Sequence, residues 1–114
     1  MNLDDLRDQV RAFAVERDWQ QFHTPKNLAM ALAGEVGELL AEMQWLTAEQ
    51  STAVMHSDDG ARVRAEIGDV MIYLVRLADV LDIDLIGAAR DKLAESARRY
   101  PAAEVRGSAA KARR

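Results

Sequence analysis

Apolar positions along the chain recur at helical spacing, and the polar stretches between them fall where helices end. Over residues 2–16, Leu3, Leu6, Val10, Phe13 and Ala14 share one face. Asn2 is placed as an N-cap, and Asp4 and Asp5 stand in the first turn, where the helix dipole favours negative charge. Residues 17–25 break the period and predict a loop, and Thr24 and Pro25 are suited to cap and open a second helix from Lys26 to Trp45 or Leu46. Between Thr47 and Gly60 the period is lost: Thr47 is suited to cap a short turn over residues 50–55, and His56 falls on the surface. A third helix covers residues 61–81, with Val63, Ile67, Val70, Leu74, Leu77 and Leu81 as its stripe. A fourth covers residues 85–99 behind a cap at Asp84, with Leu85, Ala88, Ala89, Leu93 and Ala97 as a narrow face, and Tyr100 and Pro101 stop it. The expected fold is all-α, a four-helix bundle over residues 1–101. Residues 102–114, small and basic without a stripe, are expected to form a mobile tail.

Composition narrows this picture. Apolar residues make up 49% of the 114, but aromatics only 5%, which favours helix-on-helix packing, and a chain of this length is one domain by default. Helices this rich in Ala, Leu and Met often pack on across a subunit interface. With no cysteine there is neither a disulfide framework nor a thiolate metal site, so any metal is held by carboxylates or by the two histidines. A formal net charge of −4, with basic residues gathered only in the last stretch, argues against a nucleic-acid polymer as partner. No apolar run approaches the roughly 18 residues of a membrane span, and the acidic, patterned start does not read as a signal peptide, so a cytoplasmic protein is expected.

The chemistry lies in two acid pairs. Glu35 and Glu38 are three apart in the second helix, and Glu66 and Asp69 three apart in the third, so each pair faces one way beside the apolar stripe of its own helix. One such pair is usually solvated surface. Two on helices joined by a short connection converge on one groove, where four carboxylates without a cation repel strongly. The all-oxygen set suits Mg²⁺ or Mn²⁺, which keep waters and take further ligands from phosphate. A di-iron carboxylate bundle calls for Glu-x-x-His on two helices, and neither pair has its histidine. The loop with Trp19, Phe22 and His23 is either a hydrophobic plug over the bundle end or a stacking surface for a planar ligand, and the pattern alone does not choose.

With these residues placed, the chain resembles the MazG-like all-α nucleoside triphosphate pyrophosphohydrolases, most closely their dCTP pyrophosphatase branch. The resemblance is carried by Gly34-Glu35-Val36-Gly37-Glu38 and Glu66-Ile67-Gly68-Asp69 for the superfamily, and by Asp18-Trp19-Gln20-Gln21-Phe22-His23 and Met43-Gln44-Trp45 for the branch. It implies hydrolysis of a deoxynucleoside triphosphate, dCTP or a modified cytosine nucleotide, to monophosphate and pyrophosphate. Mg²⁺ is then held by Glu35, Glu38, Glu66 and Asp69, with Glu38 and Glu35 as the catalytic carboxylates. It also implies that Trp19 and Trp45 enclose the base, that His23 and Tyr73 lie near base or sugar, and that Lys92, Ser96 and Arg99 on the last helix are binding positions. The family assembles as dimers of dimers.

Three departures bear on this. Many relatives have a further Glu where Gly34 stands, which leaves Glu38 or a metal-bound hydroxide as the base. Val10 and Ser96 replace a His and an Asn of the eukaryotic dCTP enzymes, which opens a broader or non-canonical nucleotide preference. A catalytically weak helical oligomer that binds nucleotide is the other class of reading, with Gly34 in its favour. Glu42 does not belong to the motif and is expected to pair with a basic neighbour.

Overall fold

Asn2 and Asp5 exchange hydrogen bonds at the start of the chain: the Asp5 amide donates to the Asn2 side chain at 2.9 Å, and the Asn2 amide to the Asp5 carboxylate at 3.0 Å. Two amides that the first helical turn would leave unpaired are thereby satisfied, and α1 (Leu3–Glu16) begins where the cap predicts. The computed structural model describes residues 1–111. Its further helices are α2 (Pro25–Met43), α3 (Ala48–Thr52), α4 (Gly60–Val80), α5 (Leu85–Arg99) and α6 (Ala102–Val105), with single 3₁₀ turns at Gln20–Phe22 and Val54–His56 and no strand among the described residues. The fold is all-α. None of these helices is long and apolar enough to cross a membrane.

Two compact units are present. In the first, Met1–Asp82, α2 packs chiefly against α4, and α1 against α4 as well. Its core is small: Ala14 from α1, Leu28 from α2, Val54, and Val63, Val75 and Ala78 from α4 are buried. Leu28 and Val63, at 1% and 2% exposure, are its largest fully buried side chains. In the second unit, which begins at Ile83, the Asp84 side chain accepts from the Gly87 amide at 3.2 Å and starts α5 as expected. A Cβ on Gly87 would meet Asp84 Oδ2 at 2.7 Å, so a larger residue there would push the capping carboxylate aside.

The structure departs from the pattern at several places, each with a local cause. The second helix stops at Met43 rather than at 45 or 46. The Leu46 amide folds back to the Met43 carbonyl at 3.0 Å, and extended Thr47 forms a capping box with Gln50 that opens α3. The expected turn over residues 50–55 is therefore α3 followed by a 3₁₀ turn. The third helix begins one residue early, at buried Gly60, where a Cβ would stand 3.0 Å from the Met55 carbonyl oxygen. Among the described residues after Pro101 there is one short helix, α6, whose apolar content is too small to register as a stripe; residues 112–114 of the expected tail lie outside the described residues.

The predicted stripe of α4 also divides. Val63 is buried, but Ile67, Leu74 and Leu81 are exposed, as are Met30, Val36 and Leu40 of α2 and Met71 and Ile72 of α4. Periodicity tells which positions are apolar, not whether this chain alone covers them.

Candidate active site

The loop before α2 is aimed by the end of α1. Asp18 takes a left-handed conformation, φ 54°, which asparagine and aspartate tolerate better than most residues. It lets the Asp18 amide reach the Val15 carbonyl at 3.1 Å and the Trp19 amide reach the Ala14 carbonyl at 3.0 Å, a Schellman closure. Trp19 leaves this turn with its ring edge-on to Phe13, centroids 5.6 Å apart, and to His23, 6.4 Å apart. The Asn27 side chain holds the Phe22 carbonyl at 3.0 Å, and Thr24 caps α2 by accepting from the Asn27 amide at 3.1 Å. Phe22 itself is exposed, and Trp19 is partly so.

The packing of α2 on α4 brings the acids together. Glu35, Glu38 and Glu66 each offer a carboxylate oxygen within 4.8 Å of the others. Glu35 and Glu66 are half-buried and Glu38 is exposed. Among the described residues, Oε2 of Glu35 and Oε2 of Glu66 are both buried without a hydrogen-bond partner, which is costly for a buried acceptor. Burial, then the neighbouring Glu38, pushes the Glu66 carboxyl up to about 7. The same two causes in the same order raise Glu35, and Asp69 adds to its repulsion. Asp69, the fourth predicted ligand, is exposed and stands outside the group of three.

Three carboxylates with two orphaned buried oxygens fit a divalent metal. The oxygen-only donor set suits a hard ion that retains water. Glu42 is not one of the group: Arg62 Nε lies 3.3 Å from each of its oxygens, the basic partner expected for it.

The remaining predicted site residues have the following surroundings. Trp45 follows α2 in the turn to α3 and is 86% exposed, and Tyr73 on α4 is half-buried. In the second unit, Lys92 pairs with Glu95 at 3.3 Å, the Arg99 guanidinium lies 5.7 Å from the Tyr100 ring, and Ser96 is half-buried. A cleft of about 370 Å³ beside α3, lined by Leu46, Gln50, Ala53, Val54, His56, Ser57 and Asp59, contains none of them.

Sequence reasoning missed a buried charge network in the first unit. Arg76, 7% exposed, donates from Nε to His23 Nδ1 at 3.0 Å and from Nη1 to Asp79 at 3.1 Å. Arg11 of α1 grips the same Asp79 through two bonds of 2.9 and 2.5 Å. The available signal was Arg76 and Asp79 three apart inside an otherwise apolar run of α4, too common a pattern to single out.

Comparison with known proteins adds to this geometry. Residues 31–113 match the MazG-like family. Rat and human proteins named dCTP pyrophosphatase 1 are each 44% identical over 110 residues, which is 96% of this chain and 65% of theirs, so the chain spans slightly less than two thirds of their length. A pyrophosphatase from Archaeoglobus fulgidus of known crystal structure superposes with a TM-score of 0.80 at 40% identity, covering 86% of this chain and 91% of that one.

Proposed function

This chain belongs to the MazG-like family, and we propose that within it the protein is a Mg²⁺-dependent nucleoside triphosphate pyrophosphohydrolase of the cytoplasm. Its substrate is dCTP or a modified cytosine deoxynucleotide, and its products are the monophosphate and pyrophosphate, a reaction that clears the nucleotide pool. The observation that carries this reading is the convergence of Glu35, Glu38 and Glu66 within 4.8 Å, with two buried oxygens lacking partners. The name of the mammalian relatives supports the nucleotide and the release of pyrophosphate, and that of the archaeal neighbour supports pyrophosphatase chemistry alone.

Glu35, Glu38, Glu66 and Asp69 would hold the ion, Mg²⁺ or in its place Mn²⁺. When bound, it supplies the positive charge that offsets these acids and polarises the phosphoryl oxygens. Glu38, the exposed member of the group, accepts the proton of the attacking water. The water oxygen bonds to the α-phosphorus as the bond to the bridging oxygen breaks, and pyrophosphate leaves. Glu35 holds its place beside Glu38 through α2, one turn away. Trp19 and Trp45 enclose the base, and His23 and Tyr73 approach base or sugar. The apolar residues left exposed on α2 and α4 support a homo-oligomer, a dimer of dimers.

A broader or non-canonical nucleotide preference is the second reading, favoured by Val10 and Ser96. Gly34, standing where many relatives have a further Glu, favours weak catalysis. Incubation with dCTP, a 5-substituted dCTP, dTTP, dATP and dGTP in Mg²⁺ separates the readings. Monophosphate and pyrophosphate from the cytosine nucleotides first are expected. Equal turnover of all five supports the broad reading, and micromolar binding without turnover the weak one.

A further inference from the structure

We propose that Arg76 is a positioning residue that holds His23 as the neutral imidazole carrying its proton on Nε2, so that the ring presents a hydrogen-bond donor to an acceptor on the nucleotide's base or sugar. This rests on the reading that His23 meets the nucleotide. The guanidinium has donors and no acceptor, so the 3.0 Å contact from Arg76 Nε requires a lone pair on His23 Nδ1. A proton on Nδ1 would set two donors and, in the charged ring, two positive charges against each other. The tautomer is therefore set by Arg76, and the only ring proton left is on Nε2.

Arg76 is itself fixed. Its side chain is buried, and burial of a guanidinium is tolerated only when its donors find partners. Asp79 supplies one, and Arg11 locks Asp79 from α1 through two bonds, so the plane of the Arg76 group is defined by two helices. The backbone fixes the other side of the contact: the His23 amide donates to the Gln20 carbonyl at 3.1 Å, and the Trp19 ring stands edge-on to the imidazole. Burial and the Arg76 charge both hold the His23 pKa below its ordinary value, which favours the neutral ring.

The test is read first on nucleotide-free protein labelled with ¹⁵N-histidine, where exposed His56 serves as the internal comparison. We expect His23 to show one tautomer at neutral pH, protonated on Nε2, while His56 shows the mixture of a solvated ring. A His23 protonated on Nδ1, or mixed like His56, overturns the proposal. Arg76→Met should release the tautomer preference and raise KM for the nucleotide about three- to tenfold, the size of one neutral hydrogen bond, with kcat little changed. Unchanged KM in a folded variant that has lost the preference overturns it. Arg11→Met should lower Tm and leave the tautomer intact; loss of the tautomer there would mean that general packing, not Arg76, sets it. Because the spectrum needs no substrate, a protein that hydrolyses no nucleotide refutes the functional reading while this assignment is still decided by the spectrum.

Discussion

Oε2 of Glu35 on α2 and Oε2 of Glu66 on α4 are both buried without a hydrogen-bond partner, inside a group of three acids whose oxygens approach within 4.8 Å. Folding alone therefore leaves the two helices opposed by repulsion that a cation relieves. Mg²⁺ or Mn²⁺ should raise Tm in a saturable way, since a ligand that binds only the folded state stabilises it by mass action. Glu66→Gln should raise the Tm of the metal-free protein and abolish most of the Mg²⁺-linked rise. A metal-free variant less stable than the wild type would contradict this account of the cluster.

The same repulsion sets a pH dependence. The Glu66 carboxyl lies at about 7 in the folded protein against an ordinary 4.5, so the folded state holds its proton more tightly than the unfolded chain. The associated stability is complete below the unfolded value and is lost as pH rises through the folded one. Without metal, the Tm should fall between pH 4.5 and about 7, with the direction shared by Glu35, and Glu66→Gln should flatten the curve. Thermal melts across that range in a chelator check it.

Asp79 ties together two arginines, one of them buried. Asp79→Ala leaves Arg76 with only a neutral partner, and loss of one member of a buried pair costs roughly 3 kcal/mol, or on the order of 10 °C in a domain of this size. The arginines hold the Asp79 carboxyl below the usual range, through the Arg11 hydrogen bonds first. Its contribution is thus present above the ordinary carboxylate pKa and disappears as pH falls through the lowered one, opposite in sign to Glu66. Denaturant unfolding of Asp79→Ala at neutral and acid pH should show the deficit shrinking in acid.

How much of this was legible from residues alone depends on the range of each interaction. Asn2, Thr24, Thr47 and Asp84 act within three residues and marked four helix starts, and the acid pairs were visible because positions three apart share a helix face. The bond from Arg76 to His23 spans 53 positions, and nothing local distinguishes that arginine from a solvated one. Ile67 and Leu74 belong to the stripe of α4 and are nonetheless exposed, because periodicity reports an apolar face without reporting its cover. The end of α2 was misplaced because Trp45 and Leu46 continue its apolar pattern, while the signal that stops the helix belongs to the next cap, at Thr47.

Trp45 is 86% exposed and contributes little packing within the chain. Trp45→Ala should change stability by about 0.5 kcal/mol or less, as exposed substitutions do. Loss of a stacked base contact, worth roughly 1–3 kcal/mol, should raise KM at least several-fold. Paired melts and initial-rate measurements distinguish a wall of the nucleotide site from a structural residue, for which the two effects would be reversed.

The proposed function requires cleavage between the α- and β-phosphorus, with the carboxylates of α2 and α4 directing the water. Hydrolysis of dCTP in ¹⁸O-labelled water with Mg²⁺, followed by mass spectrometry of the products, tests it most directly. The account predicts dCMP carrying one ¹⁸O, unlabelled pyrophosphate, and loss of both products by at least two orders of magnitude in Glu38→Gln, the scale of a general base. Label in pyrophosphate, release of dCDP and phosphate, or undiminished turnover in Glu38→Gln would contradict it.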